Sequence, residues 1–297
     1  MVRWLTGLIR TMRPYQWTKN VLFILPPIIF DGKLFDFEAL LRVIGAIVLF
    51  SLMAGAVYII NDLVDIERDR VHPQKRYRPL PSGQLSVQIA IIAAVILPIV
   101  AVVLAWGIRW SLAVVLIGYF ILQLLYSFVL KNIVILDLMG VTAGFVLRLV
   151  AGVVAVPVEN FSPWLYACGG LLALFLIVGK RRQDLVQLGD MAVKTRTIYQ
   201  YYNLALLDEM LRMVTTSTFI AYILYTIEAP TIKVANTNAA LATVPFVLYG
   251  LFRYLYLIHV KGEGGAPDEV LLHDRWIQVT VALWGGSFVL LLYVLPG

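Results

Sequence analysis

Four side chains able to bind a metal ion or a phosphate group stand at the end of a long apolar run. If this segment is one helix, they fall within an arc of about 100°; they are Asn61, Asp62, Asp65 and Asp69. Three carboxylates on one face repel each other unless a cation lies among them. Mg²⁺ is the natural candidate, because proteins commonly share it between carboxylates and a substrate phosphate. The alternative is a solvated helix end whose acids are balanced by Arg68 and Arg70.

Cationic residues follow these acids in the next loop. They are Lys75, Arg76 and Arg78, interspersed with Pro73, Pro79 and Pro81. A metal-bound diphosphate needs both kinds of residue, because acids hold the metal while cations neutralise the remaining phosphate oxygens. The prolines restrict the loop backbone, which suits a binding loop. The alternative is that these cations only mark the cytoplasmic side of a membrane protein.

A second polar segment begins with the basic run Lys180, Arg181 and Arg182, which Asp184 follows. In a helix, Lys180, Asp184 and Gln187 share one face. The segment is therefore a second candidate for phosphate binding, and a salt bridge at a helix end is the alternative.

A turn between two apolar runs carries Tyr126, Lys131 and Asp137, and we consider Tyr126 and Lys131 candidates for placing a substrate. The alternative for Lys131 is a side chain that extends to the membrane surface beside a nearby partner. Arg148 lies deeper in the membrane, in the predicted helix that also contains Asp137. Because a buried arginine in a membrane should face the protein interior, we expect Arg148 to have a structural, hydrogen-bonded role.

The elements that must position these residues are membrane-spanning helices. Of the 297 residues, 61% are hydrophobic and 14% are charged, against about 25% charged in soluble domains. This composition predicts an all-α polytopic membrane protein. Membrane topology explains the net charge of +6 better than nucleic-acid binding does. Cys168 is the only cysteine, which excludes a disulfide within the chain.

Nine apolar runs are long enough to cross about 30 Å of hydrocarbon. They lie near 17–31, 41–60, 87–107, 110–130, 133–154, 163–180, 213–229, 240–260 and 276–295. Residues 1–16 combine apolar and basic side chains at helical spacing, which predicts a helix in the membrane interface. Lysine and arginine are concentrated on the side that also holds the N-terminus, so the positive-inside rule places the loops 61–86 and 181–212 in the cytoplasm.

The stretch Asn61–Asp69 reads N-D-x-x-D-x-x-x-D, and Arg78–Gly83 follows it as R-P-L-P-S-G. Both stretches resemble the UbiA superfamily of intramembrane prenyltransferases, and the resemblance covers essentially the whole chain. It implies one membrane-embedded transferase domain over 1–297, built as a bundle of nine transmembrane helices with a cytoplasm-facing polar pocket. It also implies an enzyme of the plasma (inner) membrane that uses Mg²⁺ bound by Asp62, Asp65 and Asp69.

Within this superfamily, the chain looks more like the branch that transfers phosphoribosyl groups. Its second polar segment lacks the closely spaced aspartates of the aromatic prenyltransferases, and the stretches 13–20 and 268–275 are similar to the phosphoribosyl branch. The resemblance implies transfer of 5-phosphoribosyl from phosphoribosyl pyrophosphate to a polyprenyl phosphate of the decaprenyl type, for cell-envelope glycolipid precursors. Because the acceptor is already an anion, the reaction needs cations more than it needs a strong general base.

This interpretation divides the candidate residues into two groups. The catalytic candidates are Asp62, Asp65, Asp69, Lys131 and Asp184. The substrate-binding candidates are Lys19, Tyr58, Asn61, Arg68, Lys75, Arg76, Arg78, Tyr126, Lys180, Arg181 and Arg182.

Three questions stay open at this stage. A prenyltransferase that uses a prenyl diphosphate and an aromatic acceptor is one alternative. A transporter or lipid-binding protein that uses its acids for cation coupling is another, although transporters often place such sites near the bilayer midplane. Small-residue patches such as Gly140–Gly144 suit packing within one bundle or between chains, so a homo-oligomer also stays open.

Overall fold

A computed structural model describes residues 2–72, 74–157, 162–228, 238–263, 270 and 273–295. Within these residues, all regular secondary structure is helical, as the composition predicts. In chain order the α-helices are α1 (Val2–Thr11), α2 (Thr18–Ile24), α3 (Pro26–Phe30), α4 (Phe37–Val64), α5 (Ile66–Val71), α6 (Val87–Ile108), α7 (Trp110–Phe128), α8 (Leu136–Ala155), α9 (Pro163–Leu188), α10 (Ala192–Thr195), α11 (Leu204–Glu228), α12 (Val244–Tyr256) and α13 (Arg275–Val289).

Eight segments of the described chain are helical, long and apolar enough to cross a membrane. They are α4, α6, α7, α8, α9, α11, α12 and α13, some of them continued by short 3₁₀ or π turns. Eight of the nine predicted spans are therefore confirmed. The ninth, residues 17–31, is divided into the short helices α2 and α3. Pro26 begins α3, and because proline has no backbone N–H, it interrupts the helical hydrogen bonds at this point.

Several helices extend beyond the apolar runs that predicted them. Helix α9 continues to Leu188, and α11 begins at Leu204, so the predicted loop 181–212 is helical at both ends. Hydropathy marks the part of a helix that lies in hydrocarbon, and polar helical turns that project from it carry no such signal. The polar residues after position 180 therefore belong to a long rigid helix.

The chain divides into two compact groups of residues. The first unit comprises Met1–Ile29, Lys33–Phe128 and Leu147–Val158, and the second comprises Phe30–Gly32, Val129–Val146 and Glu159–Gly297. In the first unit, α4 packs against α6 and α7 around Phe50, Leu112 and Leu116. In the second unit, α9 packs against α11, and α12 packs against α13.

A buried polar network stabilises the core of the first unit. Arg148 is 8% exposed, and it donates hydrogen bonds to the side-chain oxygen of Asn20 at 2.7 Å and to the Tyr119 hydroxyl at 2.8 Å. Asn20 in turn donates to the Ser51 hydroxyl at 2.9 Å. Because a buried polar group is costly unless it is hydrogen-bonded, these bonds explain how the membrane core accommodates an arginine. The predicted structural role of Arg148 is confirmed.

The predicted amphipathic segment at the N-terminus forms α1, followed by a 3₁₀ turn at Pro14–Trp17. Trp4, Leu5 and Ile9 are exposed on α1, while Leu8 packs against a buried cluster that contains Leu80 and Leu85. The placement of α1 in a membrane interface stays a prediction.

Candidate active site

The acidic motif is built around a break between two helices. Helix α4 ends at Val64, Asp65 has the non-helical angles φ −93° and ψ 6°, and α5 begins at Ile66. The prediction of one continuous helix through this motif is therefore wrong. The break lies at Asp65, because aspartate side chains compete with helical hydrogen bonding and favour helix ends. The two other aspartates, Asp62 and Asp69, are 2% and 1% exposed.

Asp62 and Asp69 converge on one arginine. The Arg78 Nη1 atom lies 3.2 Å from Asp62 Oδ1 and 2.6 Å from Asp69 Oδ2. Lys75 Nζ lies 3.9 Å from the other Asp69 oxygen. The structure thus brings together four of the predicted residues, two acids and two cations. A carboxylate pair that shares one cation provides the hard oxygen atoms and the charge balance that a metal-bound diphosphate requires.

Arg13 completes this cluster, although it was not among the predicted site residues. Its Nη2 atom donates to Asp62 Oδ1 at 2.8 Å, and its guanidinium lies 4.7 Å from the centre of the Tyr58 ring. The backbone of Arg13 has the left-handed angles φ 53° and ψ 66°, which are uncommon for a residue other than glycine. The sequence signal of Arg13 was membership in the stretch 13–20, which resembles the phosphoribosyl branch, and that resemblance did not identify Arg13 as a ligand.

A cavity of about 420 Å³ opens beside Asp62. Its walls include Arg10 and Arg13 from the N-terminal segment, and Gln74, Tyr77 and Arg78 from the loop after α5. All of these residues belong to the first unit. Its volume lies within the range of about 300–1,000 Å³ that is usual for small-molecule sites.

The remaining predicted residues of the first unit take several positions. The Asp65 carboxylate pairs at 3.7 Å with Arg68, whose side chain is 77% exposed, and it is not part of the cluster around Arg78. Arg76 donates to the Tyr77 hydroxyl at 2.6 Å. Lys19 lies on α2, and Asn61 and Tyr126 are half-buried on α4 and α7.

The second polar segment forms a network of its own within the second unit. Arg181, which is 6% exposed, contacts the fully buried Asp137 at 3.2 Å and donates to the Tyr199 hydroxyl at 3.1 Å. Tyr202 donates to Asp137 at 2.6 Å, and Tyr199 donates to Asp184 at 2.5 Å. Burial, the largest effect, raises the pKa of Tyr199 to about 12, and burial together with the bond to Asp137 raises the pKa of Tyr202. Both tyrosines are therefore neutral donors at physiological pH.

The basic run from 180 to 182 has three different environments. Lys180 is exposed, Arg181 is buried as described, and Arg182 donates to Asp208 at 2.5 Å. His259 approaches the same Asp208 oxygen at 3.3 Å. Lys131 is half-buried in the 3₁₀ turn Leu130–Asn132. Of the three basic residues, Lys180 is the one that keeps the exposure expected of a phosphate ligand.

Part of the stretch 268–275, which is similar to the phosphoribosyl branch, lies outside the described residues. At its end, Asp274 caps α13 by accepting a hydrogen bond from the Ile277 backbone at 2.8 Å. The hydrogen bond from Arg253 holds the pKa of the Asp274 carboxyl below its usual value.

Comparison with known proteins defines the family. The sequence model of the UbiA prenyltransferase family matches residues 28–268. The chain belongs to the UbiA prenyltransferase family. The decaprenyl-phosphate phosphoribosyltransferase of Corynebacterium glutamicum is 33% identical over 98% of this chain and 88% of that protein. The protein of the same name from Mycolicibacterium smegmatis is 30% identical over 97% of this chain and 93% of that protein.

Solved structures agree on the fold. A UbiA homologue from Archaeoglobus fulgidus bound to DMAPP and Mg²⁺ has a TM-score of 0.69 at 18% identity, with coverage of 97% of this chain and 100% of that one. The predicted UbiA-like helical fold is confirmed, and the chain is a membrane-embedded transferase of the UbiA family.

The acids of this UbiA-family chain fit a magnesium ion that is shared with a substrate. Among the described residues, no group of three or more acidic, histidine or cysteine side chains is assembled to hold a metal. The buried pair Asp62 and Asp69 instead converges on the Arg78 guanidinium, so a cation already occupies the position between them. Mg²⁺ is usually bound by one or two carboxylates plus substrate phosphates, and this donor set matches that mode of binding.

Proposed function

We propose that this chain transfers 5-phosphoribosyl from phosphoribosyl pyrophosphate to a polyprenyl phosphate of the decaprenyl type, with release of pyrophosphate. The observation that carries the proposal is the pair of buried acids, Asp62 and Asp69, surrounded by Arg13, Lys75 and Arg78. The relatives named decaprenyl-phosphate phosphoribosyltransferase, which match nearly the whole chain, support the choice of substrates.

The chemistry follows from the charges. The bond between ribose C1 and the pyrophosphate oxygen breaks, and the electron pair leaves with pyrophosphate. An oxygen of the polyprenyl phosphate forms the new bond to C1. Mg²⁺, when bound by Asp62 and Asp69 with Asp65, would supply Lewis-acid stabilisation of the leaving group. Lys75, Arg76 and Arg78 neutralise the remaining negative charge, and Asn61 and Arg68 assist at the same motif.

The other predicted residues have supporting roles in this proposal. Lys180 binds a phosphate of the soluble donor, and Lys131, Tyr126 and Asp184 help to place the acceptor phosphate or the ribose. Lys19 and Tyr58 contribute to the substrate site of the first unit. Arg181 and Arg182, which form ion pairs with Asp137 and Asp208 respectively, stabilise the conformation of the second polar segment. The site faces the cytoplasm of the plasma (inner) membrane.

A defined-component assay tests the reaction itself. Purified protein receives radiolabelled phosphoribosyl pyrophosphate, Mg²⁺ and polyprenyl phosphate, and the label is followed into the organic phase. We expect transfer that requires both Mg²⁺ and the lipid phosphate. If folded protein transfers no label to polyprenyl phosphates of several chain lengths, but joins a prenyl group from a prenyl diphosphate to an aromatic acceptor, the proposal is wrong.

The Asp65→Ala variant tests the metal assignment most sharply, because Asp65 lies outside the cluster around Arg78. We expect turnover to fall by about 100-fold or more, the scale on which removal of a transition-state charge stabiliser acts, while the variant stays folded in detergent. Glu67→Ala is the matched control, since Glu67 is an exposed acid of the same segment that pairs with Arg70. Full Mg²⁺-dependent activity of Asp65→Ala would remove Asp65 from the metal site.

A further inference from the structure

The charged residues that line the cavity beside Asp62 are mostly cationic. Three arginines line it, Arg10, Arg13 and Arg78, and Asp62 is the one acidic residue of the lining. Gln74, Tyr15 and Tyr77 add further hydrogen-bonding side chains. The lining therefore carries an excess of positive charge, and arginine binds phosphate through paired, charge-assisted hydrogen bonds.

This lining disfavours an isoprenoid chain and favours a phosphorylated sugar. An apolar chain placed against guanidinium groups would remove them from water without replacing their hydrogen bonds, which is costly. A ribose that carries a phosphate offers hydroxyl groups and anionic oxygens instead. The volume of about 420 Å³ is sufficient for a ligand of this size.

Arg13 connects this cavity to the acid cluster. It contacts Asp62 through Nη2, and a guanidinium has five N–H donors, so the same residue also has donors for a phosphate in the cavity. Arg10 is exposed and lies on the cavity wall at the end of α1, away from the buried Asp62 and Asp69 pair in sequence. The two arginines thus define an anion subsite next to the position proposed for pyrophosphate.

We propose that this cavity binds the phosphoribosyl end of the soluble donor, with Arg10 and Arg13 holding its 5-phosphate. The inference rests on the proposed function and deepens it, because it states how the site selects a phosphorylated ribose over a prenyl chain. The pyrophosphate end lies at Asp62 and Asp69, and the 5-phosphate end lies at the N-terminal arginines. Neither arginine was part of the predicted binding set.

Binding measurements with two ligands separate the two ends of the donor. Phosphoribosyl pyrophosphate and pyrophosphate, each with Mg²⁺, are titrated calorimetrically into the full-length protein in nanodiscs. We expect Arg10→Gln to weaken binding of phosphoribosyl pyrophosphate by about tenfold or more, the loss of a charge-assisted hydrogen-bond pair, and to leave pyrophosphate binding unchanged. Arg70→Gln is the matched control, because Arg70 is an exposed arginine that pairs with Glu67 and lies outside the cavity lining.

The possible results are distinct. If wild-type protein binds phosphoribosyl pyrophosphate and Arg10→Gln binds it equally well, or loses both ligands equally, the subsite is wrong and the proposed function stands. If Arg10→Gln raises the KM for polyprenyl phosphate while donor binding is intact, the cavity holds the lipid phosphate and the inference is overturned. If wild-type protein binds no phosphoribosyl pyrophosphate, the proposed function fails together with the subsite.

Discussion

Adjacent residues on α9 have opposite environments, and this difference separates a structural role from a binding role. Lys180 is exposed, whereas Arg181 is buried beside Asp137 and Tyr199. Removal of one partner from a buried ion pair leaves the other charge uncompensated, which costs about 3–5 kcal/mol. An exposed lysine makes no comparable contribution to stability.

We therefore expect Arg181→Gln to lower the free energy of unfolding by about 3 kcal/mol or more, with a smaller effect on the KM of the folded fraction. Lys180→Gln, at the adjacent position, is the control variant. We expect it to leave the free energy of unfolding unchanged and to raise the KM for the soluble donor severalfold. Thermal unfolding in detergent and steady-state kinetics measure the two effects. A stable Arg181→Gln variant with a raised KM would identify Arg181 as a substrate ligand.

At the scale of single residues, the sequence predicted the acidic site residues well and their hydrogen-bonding and ion-pair partners less well. Asp62 and Asp69 stood out because aspartates at helical spacing beside an apolar run are rare, and Lys75 and Arg78 followed them within one loop. Arg13 pairs with a residue 49 positions away, and Arg181 pairs with one 44 positions away. Such pairs depend on tertiary packing, so the pattern of residues alone did not separate a phosphate ligand from a salt-bridge partner.

At the scale of helices, the position of the short α2 depends on a close approach to α8. A Cβ atom added at Gly152 would lie 2.2 Å from the Ile24 carbonyl oxygen and 3.0 Å from the Pro27 side chain. The same two helices carry Asn20 and Arg148, which are hydrogen-bonded to each other. Because Gly152 has no side chain, α2 can pack closely against α8, at the point where Asn20 is hydrogen-bonded to Arg148.

We expect Gly152→Ala to destabilise the protein by about 1–3 kcal/mol, the usual cost of overpacking a buried contact, because the clash is with backbone. Gly118→Ala on α7 is the matched control, since a Cβ atom there meets no atom within 4 Å. Alanine has a higher helix propensity than glycine by about 1 kcal/mol, so the control should be neutral or stabilising. Thermal unfolding of both variants in detergent makes the comparison, and equal stabilisation of both would contradict the close packing.

The helix interiors were predictable, and their ends and interruptions were less so. Eight spans followed from apolar length alone. The break at Asp65 and the extension of α9 to Leu188 lie in polar sequence. Hydropathy does not predict helix ends there, because capping and tertiary contacts determine them. The interruption of the first run lies at Pro26 and Pro27, because proline cannot continue the helical hydrogen bonds.

At the scale of the whole molecule, composition determined the class of protein, and charge determined the expected orientation. Mean hydropathy of +0.85 and eight spans in the described chain make this an integral membrane protein. The side of the membrane on which the site lies depends on the positive-inside rule, which reads lysine and arginine in the loops. It places the loop after α5 in the cytoplasm and the loop between α3 and α4 on the opposite side.

Cysteine labelling tests this orientation, because the chain has a single native cysteine. In a Cys168→Ser background, we expect Phe35→Cys to react with a membrane-impermeant maleimide on intact cells, since Phe35 is exposed in the loop before α4. Ser82→Cys, at an exposed position after Arg78, should react only after the membrane is permeabilised. Each variant must first retain transferase activity. Labelling of Ser82→Cys on intact cells would place the acidic cluster on the outer side, where a cytoplasmic pool of donor would have no access to it.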